Sequence, residues 1–357
     1  MEVALGPDGE SDDEWFFDSI TRYDDLLMYD VHGDISCSTF YDGGKLLLGI
    51  SRGSVHELWL LSVPDKLLAG RSAGLVNNRD FHLVAAGYTA GSVKKAVRVG
   101  SSVVVAEEGG VYLYCVPEPG NASDVISLSS TLKSSVAGEA VLAVSGSQVY
   151  AGNTLFDLTL MDLSSEKTLG PVMMAKGSQR NREISEVVCV GNKLFICSKN
   201  EGSVLICDPR TDSLIQEVQV QDTRGLWTMD ASQEGDCVAL GSSWGSVSVH
   251  DVRNSGQKMY SHNQVMESDK TGKVTLHFSP SDPLLSVSGF DKTVEIFNYK
   301  GGKSDSKVFR HDGHRGESVQ LVVNHLWHPT VGQGAETPGT TLLHECPPLG
   351  QTVADLV

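Results

Sequence analysis

The sequence predicts an all-β fold, a seven-bladed β-propeller of the WD type, on three observations. The first is the stretch KVTLHFSPSDPLLSVSGFDKTVEIFNYK at 273–300. It holds three runs of β-formers, 274–278, 284–288 and 293–299, separated by Ser-Pro-Ser-Asp-Pro and Gly-Phe-Asp-Lys. Both separators are turn chemistry, so the stretch reads as one antiparallel meander. The second is recurrence: an apolar run closing on an Asx appears again as Gly202-Ser-Val-Leu-Ile-Cys-Asp-Pro-Arg210 and Gly245-Ser-Val-Ser-Val-His-Asp-Val-Arg253. The third is spacing, 43 residues from Asp208 to Asp251 and 47 from Asp251 to Asn298. A repeat of about 40–45 residues holding four strands is the length of one propeller blade.

Taken from the N-terminus, Ser11-Asp-Asp-Glu14 fits a capping box, with Ser11 at the cap and Glu14 at the third helical position. An acidic first turn suits the positive end of the helix dipole. Phe16, Ile20, Tyr23 and Leu27 follow on one face, with Asp18, Asp24 and Asp25 off it and Trp15 beside it. The spacing therefore predicts an acidic amphipathic helix within 1–25. Its apolar stripe either packs onto the body of the domain or docks a partner, which makes Trp15, Phe16, Ile20 and Tyr23 candidate partner-binding residues.

The run 26–31 is a short strand arriving ahead of the first full meander. A propeller that takes the outer strand of its last blade from the other end of the chain removes two free sheet edges at once, and 26–31 is assigned that role. Six meanders follow, at 35–89, 93–132, 139–174, 184–220, 225–261 and 273–310. A seventh opens with Gln-Leu-Val-Val-Asn-His-Leu-Trp-His-Pro at 320–329, which has the look of an innermost strand. The propeller domain is thus placed at 26–329. The remainder, 330–357, is rich in Gly, Pro and Thr, and only 340–344 and 352–357 are at all strand-like. Pro347-Pro348 discourages a continuous ladder. The expectation is an irregular, divergent tail, with the last blade incomplete or the coding end altered.

Composition sets limits on partners. The 357 residues carry a net charge of −17, and 1–34 holds eleven acidic residues against Arg22 alone. So acidic a chain offers no footprint for phosphate backbones, which argues against nucleic acid and anionic membranes and for protein partners. The seven cysteines form no C-x-x-C and fall mostly in strand-like runs, the pattern of small buried hydrophobes in a reducing compartment. No signal peptide and no membrane-spanning run is read, so a cytoplasmic setting is expected.

Chemistry-bearing motifs carry little. Gly241-Ser-Ser-Trp-Gly245 matches the nucleophile-elbow pattern, but that motif needs a helix after its turn and here a second strand follows. His311-x-x-His314 and His325-x-x-His328 together offer four nitrogens to a zinc ion. A spacing of three on a strand, however, sends His325 and His328 to opposite faces. Gly301-Gly-Lys-Ser304 is the tail of a phosphate loop whose leading glycine is replaced by Phe297. Neither a catalytic residue nor a cofactor or metal site is assigned. Recognition by loops on a rigid disc remains, and Arg71, Arg79, Arg180 and Arg182, in or near the longer connections, are the basic candidates for meeting an acidic partner.

The Asp-Asp-Glu-Trp helix, the strand Leu-Leu-Met-Tyr-Asp-Val, the turn Ser-Gly-Phe-Asp-Lys-Thr-Val and the strand Leu-Trp-His-Pro together resemble the WD repeat-containing protein 73 family from about residue 12 to 329. The resemblance implies a non-enzymatic scaffold, without cofactors, that assists assembly of the Integrator cleavage module and takes part in microtubule organisation in mitosis. It implies nuclease-module subunits and microtubule-associated proteins as partners, a single copy within a complex, and a cytoplasmic location extending to spindle poles and nucleus. The other reading the residues leave open is a substrate receptor of a cullin-type ubiquitin ligase, for which Cys207-Asp-Pro-Arg210 and His250-Asp-Val-Arg253 are partial blade-end matches.

Overall fold

The structure is a computed structural model and describes residues 17–19, 23, 25–68, 77–118, 123–134, 136, 138–165, 167–172, 182–211, 213–220, 224–254, 257–263, 273–301, 307–312, 322, 324–329, 341–346 and 351–356. Strand β1 (Asp25–Asp30) comes first. The first meander is β2 (Asp34–Asp42), β3 (Lys45–Arg52), β4 (Val55–Ser62) and β5 (His82–Thr89), with a one-turn helix α1 (Asp65–Leu68) before β5. The second is β6 (Val93–Val99), β7 (Ser102–Glu107), β8 (Gly110–Cys115) and β9 (Ser127–Lys133). The third is β10 (Val141–Ser145), β11 (Gln148–Gly152), β12 (Thr159–Asp162) and β13 (Lys167–Pro171). Then come β14 (Ile184–Val190), β15 (Lys193–Ser198), β16 (Ser203–Asp208) and β17 (Ser213–Gln219), followed by β18 (Trp227–Ala231), β19 (Cys237–Ser242), β20 (Ser246–Asp251) and β21 (Gln257–Asn263). The sixth is β22 (Thr275–Phe278), β23 (Leu284–Ser288), β24 (Val294–Asn298) and β25 (Lys307–His311), and the chain ends with β26 (Asn324–Trp327), β27 (Thr341–Cys346) and β28 (Gln351–Leu356).

Each of the six consecutive quartets from β2 to β25 is one antiparallel four-stranded sheet, and the limits match the meanders read from the sequence to within a few residues. A further four-stranded sheet has the order β1-β28-β27-β26 and is built from both ends of the chain. β1 runs antiparallel to β28, with Asp25 opposite Leu356 and Asp30 opposite Gln351, so the N-terminal strand supplies the outer edge. The irregular tail expected at 330–357 is corrected here, because β27 and β28 both lie in it. β27 ends at Cys346, before the two prolines, and β28 pairs with β1. Of the expected N-terminal helix over 1–25, 17–19 are helical, Tyr23 is not, Asp25 already opens β1, and the other residues lie outside the described ones.

The inner strands β2, β6, β10, β14, β18, β22 and β26 neighbour one another in that order, and β26 returns to β2, which is the β-propeller arrangement. Twisted sheets packed face to face bury side chains between blades rather than in one central core. Leu47, Leu58 and Leu60 of the first blade meet Val103, Val105 and Tyr114 of the second. The composite sheet packs the same way, Leu27, Tyr29 and Leu326 lying against Leu46, Leu48 and Ile50. Each such buried aliphatic side chain contributes about 1.5–3 kcal/mol. Polar contacts from β26 add to this. Asn324 Nδ2 donates to Ser38 Oγ at 2.8 Å, and His328 Nε2 donates to the Gly43 carbonyl at 2.7 Å. On the other side Trp327 Nε1 donates to the His277 carbonyl at 3.1 Å. The innermost strand of the composite sheet is therefore joined to both neighbouring blades.

Candidate functional site: the mouth of the central channel

All inner strands start on the same face of the ring. The interblade loops and the turns between second and third strands share that face, as contacts between them show. Arg52 Nη2 donates to the Val31 carbonyl at 3.1 Å, and Thr154 bridges Glu183. At this face the first halves of β2, β6, β14, β18, β22 and β26 surround a cavity of about 230 Å³.

An inner strand turns one unpaired edge toward the channel, and its amides and carbonyls need partners there. Charged side chains in the wall supply them. Asp230 accepts from the Ala231 amide at 2.9 Å and from the Phe278 amide of the next blade at 2.8 Å. Lys95 pairs with Glu186 and also donates to the Val187 carbonyl at 3.4 Å. It reaches from the second blade to the fourth, past β10. His277 Nδ1 stands 3.9 Å from Asp230, and its ring meets that of His325 edge-on at 5.1 Å. His325 is itself held between Ser288 Oγ at 2.8 Å and Ser286 Oγ at 2.7 Å. Burial pushes the Asp230 carboxyl above its ordinary range, opposed by the His277 charge and the two amides. Burial likewise pushes the His277 imidazole down. The wall groups are engaged with one another except at His277 Nε2, which is buried without a hydrogen-bond partner, and His325 and His328 spend their nitrogens on serines and a backbone carbonyl rather than converging on a common point.

Two lysines stand at the rim above this wall. Lys94 lies 3.9 Å from Glu139, itself largely exposed, and Lys273, just before β22, is exposed. On the same face the Gly241–Gly245 turn forms a brace. Ser243 Oγ accepts from the Leu226 amide at 2.9 Å, the Ser243 amide donates to the Leu226 carbonyl at 2.9 Å, and Ser242 Oγ donates to the Arg224 carbonyl at 2.7 Å. Gly225 between them has φ +84°, and a Cβ there would meet Trp244 Cδ1 at 2.3 Å. The brace presents Trp244, 59% exposed, and Leu226, 53% exposed, with the Arg224 guanidinium 5.3 Å from the indole ring. The apparent nucleophile motif is a structural clamp.

The residues chosen from the sequence are not brought together. Tyr23 is buried, its ring edge-on to Phe309 and His311, and its hydroxyl accepts from the Asp312 amide at 3.2 Å. At this residue the stripe packs onto the chain's own sixth blade. The Arg182 guanidinium is engaged by Glu201 at 2.6 Å and Glu217 at 3.2 Å. Arg79 is exposed in the β4–β5 connection, at the opposite end of the strands from the mouth. Trp15, Phe16, Ile20, Arg71 and Arg180 lie outside the described residues. Sequence reasoning missed Lys94, Lys273, Asp230 and Trp244. The available signals were a Lys-Lys pair opening an inner strand, an acid inside the apolar run Trp-Thr-Met-Asp-Ala, and a tryptophan in a turn.

No family model matches the chain. A zebrafish protein, Danio rerio "Integrator complex assembly factor WDR73", is 26% identical over 350 residues, covering 90% of this chain and 92% of its own. The Xenopus laevis protein of the same name is 25% identical over 346 residues, covering 87% of this chain and 91% of its own. The chain is similar to these proteins across nearly its whole length, which supports the family resemblance read from its motifs.

Proposed function

We propose that this chain is a non-enzymatic scaffold that assists assembly of the Integrator cleavage module by binding its nuclease subunits, as a single copy within the complex. The observation that carries the reading is the end-to-end similarity to two proteins named as Integrator assembly factors. The fold supports it. With the composite sheet counted as its seventh blade, the ring is a rigid disc whose loops need little ordering on binding, so less of the contact energy is lost to entropy. A cytoplasmic location, with a mitotic fraction at spindle poles acting on microtubule organisation and a nuclear fraction, belongs to the same reading.

The blade-end arginines give the ubiquitin-ligase alternative little support. Arg210 folds back on Asp208 at 2.6 Å and holds that carboxyl down to about 2, and Arg253 folds back on Asp251 at 3.0 Å and lowers its carboxyl. Each guanidinium is occupied in its own turn. Affinity purification of the full chain from cell extract, read by mass spectrometry, tests the proposal. Integrator nuclease-module subunits are expected in the eluate. Cullin adaptors recovered without any Integrator subunit would overturn it.

A further inference from the structure

We propose that the channel mouth is a docking site for an acidic, partly apolar segment of a partner polypeptide. A carboxylate of that segment enters between Lys94 and Lys273, and neighbouring apolar residues rest on Trp244 and Leu226. This inference rests on the scaffold reading for the partner's being a protein, and adds to it the face and the chemistry.

Charge complementarity is the main argument. The molecule carries −17 overall, so it repels acidic chains from most of its surface. Yet the cavity is faced by Lys94, Lys95 and Lys273 against Glu186 and Asp230. Lys95 is consumed by Glu186, and Asp230 by two backbone amides. Amides do not cancel a carboxylate's charge, so the lining counts three lysines against two carboxylates, one positive charge in excess. Among the described residues Lys94 has one ion-pair partner, the largely exposed Glu139 at 3.9 Å, and Lys273 has none. A local positive rim on an acidic body orients an approaching acidic segment and rejects it elsewhere. The wall beneath adds the hydroxyls of Ser36 and Thr228, and a cavity of about 230 Å³ admits a side chain rather than a folded element. The exposed indole supplies apolar area on a support that cannot give, because the turn beneath it is clamped by three hydrogen bonds. Aromatic residues so held are the usual anchors of protein interfaces.

The test uses the full chain and a fluorescein-labelled peptide of alternating glutamate and leucine, followed by anisotropy. The matched lysine–leucine peptide and inorganic phosphate serve as controls. Binding of the acidic peptide alone is expected, weakened about tenfold in Lys94→Glu/Lys273→Glu and several-fold in Trp244→Ala. Lys273 and Trp244 are exposed and Lys94 is half-buried, and an unchanged melting temperature in each variant verifies the fold. Equal affinity in wild type and the lysine variant overturns the proposal. So does full displacement by phosphate, which would make the mouth a small-anion site, or preference for the lysine peptide. Purification from extract with the same variants separates the two readings. Lysine-dependent peptide binding without recovery of any Integrator subunit removes the scaffold reading and leaves the site. Integrator subunits recovered equally by wild type and lysine variant, with no peptide bound, remove the site and leave the scaffold.

Discussion

Asp230 shows what a single charged side chain does in an inner strand. Its carboxylate takes amides from two blades that share no backbone ladder at that point. Asp230→Ala leaves both amides at the channel wall without that acceptor and is expected to lower the unfolding free energy by about 2–3 kcal/mol, read from urea denaturation. Asp230→Asn, which keeps one acceptor oxygen, should lose less. His277 and His328 set the pH response near neutrality. Burial holds both imidazoles below the ordinary 6.5, so the unfolded chain takes up protons that the folded chain refuses. Their contribution is fully present above that value and is lost as pH falls through it toward the depressed folded values. Asp230 acts in the opposite sense, because its raised carboxyl takes up a proton in the folded state ahead of the unfolded one as pH falls, and so opposes the histidines. Thermal melts should therefore show a lower Tm at about pH 5.5 than at about pH 7.5. The drop should shrink in His328→Gln, whose amide can still donate to the Gly43 carbonyl. None of this was legible beforehand. An aspartate in an apolar run reads locally as a misfit, and its partner amide lies 48 residues away.

At the scale of elements, most of the architecture could be read because each blade is a local meander. Turn chemistry at Ser-Pro-Ser-Asp-Pro or Gly-Phe-Asp-Lys marks its limits without reference to distant residues. The tail could not be read in this way. Thr-Leu-Leu-His-Glu-Cys and Gln-Thr-Val-Ala-Asp-Leu have modest strand propensity beside two prolines, and what makes them strands is pairing with β26 and β1. Deleting 341–357 removes β27 and β28 and leaves β1 and β26 with open edges. Hydrogen exchange at the Leu27 and Tyr29 amides should then rise to the rate of unprotected chain, and the truncated protein should self-associate. A second element-level contact is equally specific. The segment before β9 lies along β5, where the Ile126 amide donates to the Ala86 carbonyl at 2.8 Å. A Cβ on Gly87 would stand 2.1 Å from the Ile126 carbonyl oxygen. Gly87→Ala should cost about 1–3 kcal/mol and release protection at the Ile126 amide, because backbone on both sides must move apart.

Over the whole molecule, the two faces of the ring differ in what they offer. The mouth face gathers the rim lysines Lys94 and Lys273 and a braced indole on an acidic body, whereas the candidates read from the sequence were distributed over both faces and the N-terminus. Trp244→Ala should change stability by less than about 0.5 kcal/mol, as expected for an exposed side chain, while reducing recovery of protein partners. The sheet assembled from both ends of the chain has a further consequence, in time rather than in space. β1 leaves the ribosome before every other strand of the ring, and its pairing partner is made about 320 residues later. At roughly 5–20 residues per second that is an interval on the order of fifteen seconds to a minute. Throughout it, the nascent propeller holds an unmatched strand that translation alone can satisfy, and a ribosome that stalls anywhere before β28 leaves an open ring for the cell's folding machinery to shield or remove.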